Sequence, residues 1–304
     1  MWRTGGILGI SGLLLAGAQA ADLKPLYKAP PPPPPVYSWT GLYGGLNVGA
    51  VKDVGRINPS MALEPVFFSD PTGAFAGLGP VFVVLIPGTV VTPIPTSRSS
   101  NVGILGGGQL GYNWQMGRWI YGAEADFDGT NASESFAGAF SQTFTGALAG
   151  GSVSRSLNGT WTVDRQWQAS LRGRLGYAWD RLMVYGTGGI AVTDVDVTST
   201  YTAVTALGAA LAPIAGLPLA NGTASSTDHG TLVGGTIGGG FEYAVTNAIT
   251  VGGEYRYTHY SEKNFNAGVT PAGPITPVTA PGPMTLNLDT HQIVARVNYF
   301  FGRP

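Results

Sequence analysis

The chain has no cysteine, so disulfide scaffolds and thiolate metal sites are excluded. Charge is scarce as well. Only 11% of residues are Asp, Glu, Lys or Arg, and 16 bases against 17 acids leave a formal net charge of −1. That balance offers nothing to nucleic acid or to a strongly charged partner. No stretch after the first twenty residues is apolar for long enough to cross a bilayer as a helix. Gly234 to Gly240 is glycine-rich but has no phosphate-loop lysine, and it lies within a strand pattern, where glycine serves curvature and close packing. The three histidines, His229, His259 and His291, share no metal-ligand spacing. Asp228-His229 beside Ser225 and Ser226 on a surface loop could supply the parts of a hydrolase, but adjacency in sequence is not triad geometry.

What is present begins at the N-terminus. A single positive charge at Arg3 precedes an apolar run from Ile7 to Ala18, and Ala18-Gln19-Ala20 supplies a small-x-small cleavage site. That is the plan of a secretory signal peptide over residues 1–20, cut after Ala20. Residues 21–38 contain the proline run Pro30 to Pro35, which fixes φ and removes amide donors. The segment therefore reads as an extended periplasmic spacer. The barrel pattern described next occupies 39–304.

From Trp39 onward, stretches alternate with period two. In residues 166–179, Trp167, Ala169, Leu171, Gly173, Leu175, Tyr177 and Trp179 take one face, and Gln166, Gln168, Ser170, Arg172, Arg174, Gly176 and Ala178 take the other. Strand side chains alternate faces, so one side is apolar with aromatic ends and the other is wet. A strand of about 9–11 residues crosses a bilayer at about 45°. Seven further stretches fit: 40–51, 101–115, 119–129, 182–198, 231–245, 248–260 and 290–301. The facing of 182–198 is ambiguous. Tight turns at 116–118, 180–181 and 246–247 alternate with long links at 52–100, 130–165, 199–230 and 261–289. Strict alternation of short and long predicts an all-β, antiparallel, up-and-down transmembrane barrel of eight strands, with short periplasmic turns and long extracellular loops.

The inward faces hold Glu124, Asp126, Glu242 and Glu254 against Arg172, Arg174, Arg256 and Arg296. Eight strands enclose only enough room for side chains, so these charges must pair or reach water. They form either a salt-bridged plug or an ion pathway. Trp114, Trp119, Tyr121, Trp167, Tyr177, Trp179, Tyr255 and Tyr257 are placed at the lipid–water interfaces. Residues 81–91 (VFVVLIPGTVV) form an apolar stretch within a supposed loop, open to four readings: an interface, a hairpin extending the barrel with its turn at Pro87-Gly88, a lid, or a further pair of membrane strands.

Several motifs together resemble the alphaproteobacterial outer-membrane surface-antigen family. They are Ala-Asp-Leu-Lys-Pro from Ala21, Trp39-Thr40-Gly41-Leu42-Tyr43-Gly44-Gly45, Gly173-Arg174-Leu175-Gly176-Tyr177, Tyr185-Gly186-Thr187-Gly188-Gly189 and Val297-Asn298-Tyr299-Phe300-Phe301. The resemblance implies a porin-like barrel related in architecture to OmpA and OmpX. It also implies residence in the outer membrane of a Gram-negative cell and a structural or surface-exposed role. From the residues themselves, no enzymatic activity and no cofactor are expected. Val297, Tyr299 and Phe301 would be the C-terminal assembly signal, here followed by Gly302-Arg303-Pro304. Expected partners are outer-membrane lipids and lipopolysaccharide, periplasmic chaperones and the barrel-assembly machinery, with a homo-oligomer also open and no nucleic acid. Two other functions stay open: a small diffusion porin widened by extra loop strands, and a receptor whose loops bind haem or a host ligand.

Overall fold

The computed structural model describes residues 37–63, 67–68, 83–84, 90–93, 96–145, 152–207, 222–266 and 284–302. All belong to one compact unit, Tyr37–Pro304. The signal peptide, nearly all of the spacer and the Pro87-Gly88 turn lie outside the described residues.

Among the described residues the elements are all strands. The barrel is built by β1 (Gly41–Asn58), β7 (Val102–Met116), β8 (Trp119–Thr130), β10 (Ser152–Trp179), β11 (Leu182–Leu207), β12 (Gly222–Ala244), β13 (Ile249–Phe265) and β14 (Met284–Phe300). Eight antiparallel ladders join them in the order β1-β7-β8-β10-β11-β12-β13-β14 and back to β1. Closure leaves no unpaired edge at membrane depth, which hydrocarbon would not tolerate. β6 (Thr96–Ser100) and β9 (Ser133–Thr145) continue the lines of β7 and β8, pair with each other, and β9 pairs with β10.

The three tight turns fall where the sequence puts them. Gly117 takes a left-handed φ of 64° in the β7–β8 turn. Asp180 does so at 53° in the β10–β11 turn, a conformation a short polar side chain tolerates. The long links are different from expectation. Much of 130–165 and 199–230 is strand, because β10 and β11 run on far past the length a bilayer needs. Asp228 and His229 accordingly sit in β12 and not on a loop. The described residues of the apolar stretch 81–91 pair with other segments. Val83–Val84, β4, pairs with Phe67–Phe68, β3, while Val90–Pro93, β5, pairs with Ser60–Leu63, β2.

Outward residues below this level are apolar and exposed, among them Leu46, Leu110, Phe127, Leu171, Ile237 and Ile293. Higher up the polarity inverts. Along β11 the outward positions change from Leu182, Val184 and Ile190 to Asp194, Asp196, Thr198, Thr200 and Thr202, while Val195, Val197 and Tyr201 are buried within. β10 achieves the same inversion by geometry. A bulge between Arg165 and Gln168 shifts the register against β11, and one extra residue swaps the faces of all that follows. Below it the odd-numbered Leu171, Leu175 and Trp179 face lipid. Above it the odd-numbered Trp161, Val163 and Arg165 are buried. Gln166, expected inward, is therefore exposed, and inward Arg165 escaped the sequence reading.

Above the lipid belt the barrel wall parts in two places. The β12–β13 ladder ends at Gly234↔Tyr260 and the β1–β7 ladder at Lys52↔Val102. The upper halves thus form two facing sheets, β6-β9-β10-β11-β12 and β1-β14-β13. Between them is a core of Ile57, Phe136, Trp161, Val197, Tyr201, Leu232, Phe265, Met284 and Leu286.

Candidate functional site: the filled lumen

Three layers occupy the interior of the described barrel. The lowest is aromatic. Trp39 is fully buried at the periplasmic mouth with Tyr37, Tyr43, Ile120, Met183, Tyr185 and Phe300. The turn residue Asp180 holds it there. Its carbonyl accepts from the Trp39 indole N–H at 3.0 Å, and its carboxylate accepts from the Tyr37 amide at 3.2 Å. The Trp39 amide donates to Gln115 at 2.6 Å, and the Arg181 guanidinium lies 5.6 Å from the Tyr37 ring. Tyr37, assigned to the spacer by sequence, is thus part of the plug.

The middle layer is ionic. The structure places all eight of the expected charges inside and brings them together. Arg172 donates to Glu124 at 2.7 Å, to Asp126 at 2.8 Å and to Glu254. Arg296 bonds Glu124 and, at 2.6 Å, Glu254. Arg174 pairs with Glu242 and stacks 3.6 Å from the Tyr185 ring centre. Arg256 reaches Asp126 at 3.0 Å and Asp128 at 3.6 Å. Two tyrosines complete the layer. The Tyr43 hydroxyl donates to Glu124 at 2.6 Å and that of Tyr185 to Glu254 at 3.0 Å. Gly111 and Gly240 make room for these rings, since a Cβ at either position would meet a tyrosine hydroxyl. Each carboxylate serves several donors, the condition under which a buried charge is tolerated.

Amides and a further ion pair lie above. Asn47 donates to Asp128 at 2.8 Å and to Gln109 at 3.0 Å, and Gln168 and Gln292 exchange amide bonds. Asp53 and Arg165, both buried, form a two-pronged pair at 2.9 Å on each prong. Sequence reasoning missed them because the bulge hides Arg165's facing and Asp53 fell in a presumed loop. The apolar core of the two facing sheets seals the top.

Aromatics mark the outer wall. Trp114, Trp119, Tyr121, Tyr177 and Trp179 lie near the periplasmic turns, with Trp119–Tyr177 edge-on at 5.3 Å and Tyr177–Trp179 at 4.7 Å. Trp167 stacks on Phe127 at 5.7 Å toward the other end of the belt, where Tyr255 bonds His291 and Tyr257 bonds Asp289. Val297, Tyr299 and Phe301 point outward at half exposure, while Phe300 turns into the plug.

The remaining candidates do not converge. Ser225 bonds Thr200 at 3.0 Å, whereas His229 bonds Asp196 at 2.5 Å across the β11–β12 ladder. His229 lies above the lipid belt, and its bond to Asp196 holds its pKa above the ordinary 6.5.

In sequence the chain is similar to known outer-membrane proteins. The chain is 30% identical over 267 residues to the 31 kDa outer-membrane immunogenic protein of Brucella melitensis, covering 84% of this chain and 86% of that protein. It is 31% identical to the 22 kDa outer membrane protein of Rhizobium leguminosarum bv. viciae over 53% of this chain and 55% of that one. Among solved structures, Neisserial surface protein A aligns at 12% identity and a TM-score of 0.30, over 86% of this chain and 98% of its own. The family model for the outer membrane protein β-barrel domain matches residues 9–301. With a closed ring of antiparallel strands, a lipid-facing apolar belt and that match, the chain belongs to the outer membrane protein β-barrel domain family and resides in the outer membrane.

Proposed function

We propose that this protein is a non-conducting, non-enzymatic surface barrel, a wall element of the outer membrane that presents a rigid β-structure to the exterior. The observation that carries the reading is the filling of the lumen at successive levels by the Trp39 plug, the Arg172 network and the apolar core. Eight strands enclose a bore that side chains can fill, and here they do. Solute passage would require breaking several buried ion pairs together, each of which costs about 3–5 kcal/mol when one partner is left alone. Outer-membrane lipids and lipopolysaccharide would contact the apolar belt and its aromatic ends. Val297, Tyr299 and Phe301 would be read by the assembly machinery. Liposome swelling tests the reading. Vesicles containing the protein should swell in arabinose no faster than protein-free vesicles, and rapid swelling would show a diffusion porin instead.

A further inference from the structure

Where the barrel wall parts, β12 keeps its ladder to β11 up to Gly222 but loses β13 above Gly234. Among the described residues, no strand pairs with this upper edge. Its polarity can be worked out. The amide of even-numbered Ala244 donates to Arg181 beside β11, and that of odd-numbered Val245 donates to Ile249 of β13. The β11–β12 register continues without a shift to Gly222, so every odd residue of β12 aims its N–H and C=O away from β11. Two of these positions are covered. Lys263 donates to the Thr231 carbonyl at 3.3 Å, and the His229 amide donates to Asp228 at 3.0 Å. The end of β13 reaches only this level, where the Asn266 amide donates to Asp228. Thr223, Ser225 and Thr227 remain above it with their backbone groups aimed outward.

The opposite seam is protected: on β1, the Gly55 amide donates to Glu134 at 2.6 Å. Edge strands usually carry a lysine, a proline or a bulge that prevents pairing. Gly222-Thr223-Ala224-Ser225-Ser226-Thr227 has no charge, no proline and no bulge. Its outer face is a hydroxyl ladder, with Thr223 on Thr202, Ser225 on Thr200 and Thr227 on Thr198, each at 3.0 Å.

We propose that this edge pairs with the same edge of a second copy anchored in a facing membrane, joining two cells. Antiparallel pairing about Ser225 sets Ser225 against Ser225 and Thr223 against Thr227. These odd residues all aim at the edge, so each such pair is a hydrogen-bonded one. The hydroxyls of the two copies then fall on one face, and no like charges meet. Two copies in one membrane cannot pair this way. A twofold axis along the membrane normal would cross strands tilted by about 35–45° at roughly 70–90°, far from the twist of about 20–25° between paired strands. Facing membranes reverse the strand direction and permit the antiparallel ladder. A short ladder is weak by itself, and many copies in register between two surfaces would supply the strength.

The chain has no native cysteine, which allows a direct test with full-length protein in detergent micelles. Ser225→Cys should form a disulfide-linked dimer on oxidation. Thr223→Cys should cross-link to Thr227→Cys in a mixture, with several-fold less product when either variant is oxidised alone. Ser225→Pro removes an edge-directed donor together with the hydroxyl bond to Thr200, spares the backbone ladder to β11, and should abolish clumping of cells that display the protein, whereas Ser225→Ala, which loses the hydroxyl but keeps the amide, should still clump. Retention of the folded band on unheated gels verifies that the Ser225→Pro variant still forms its barrel. Absence of cross-links, equal cross-linking in every combination, or clumping unchanged by a folded Ser225→Pro variant would each overturn the proposal. So would capture of a synthetic alternating Thr-Val peptide by an edge that forms no cross-link between copies.

Discussion

At the scale of single residues, the interior shows how a barrel pairs its buried charges. Asp53 and Arg165 are the simplest case, two buried groups with a pair of 2.9 Å bonds between them. Asp53→Ala leaves a guanidinium without its counter-charge, and the expected loss is about 3–5 kcal/mol, read from urea unfolding in micelles. Asp53→Leu combined with Arg165→Met should recover most of that loss, because an apolar pair carries no desolvation cost. His229 tests the exposed surface. Its pKa is raised by Asp196, so whatever the pair contributes is complete below the unfolded value near 6.5 and disappears as pH rises through the folded one. An NMR titration should place the His229 midpoint above 6.5, and Asp196→Asn should return it toward that value. A midpoint indifferent to the substitution would mean the cross-strand bond does not form in solution.

At the scale of elements, the membrane-spanning strands were legible because lipid imposes one unambiguous rule: apolar outward, polar inward, in alternation. Leu171, Arg172, Leu175 and Arg174 obey it, and their facing follows from sequence alone. The upper strands obey the opposite rule, since they meet water outside and one another inside. The sequence of β11 displays the change at Asp194, yet a reader looking only for the lipid pattern sees a loop begin there. In β10 the change is easily missed, because every odd-numbered residue from Trp161 to Trp179 except Arg165 is apolar, while the bulge at 166–167 reverses what that parity faces. Among site residues, the eight lumen charges were legible. Asp53 and Arg165 were not, because the first fell in a presumed loop and the bulge hides the facing of the second, and the roles of Tyr43 and Tyr185 appear only once Glu124 and Glu254 are brought to their hydroxyls. The bulge carries a prediction. Deleting Gln166 should turn either Trp161 and Val163 toward solvent or Arg172 and Arg174 toward lipid. The variant should fail to assemble, measured as loss of the heat-modifiable band, whereas Gln166→Ala, which keeps the residue count, should assemble normally.

At the scale of the whole molecule, one closed ladder serves two environments. Its lower part satisfies hydrocarbon by closing every backbone bond around a polar interior. Its upper part satisfies water by opening into two sheets around an apolar core. The boundary lies where the ladders β12–β13 and β1–β7 end, and the ion pairs and amides fill the bore beneath it. The account stands on that bore being filled. Planar-bilayer recording of the purified protein tests it most directly. A filled lumen predicts a membrane that holds its resistance, with no steady conductance steps at any applied voltage. Large, stable steps that scale with protein added would contradict it.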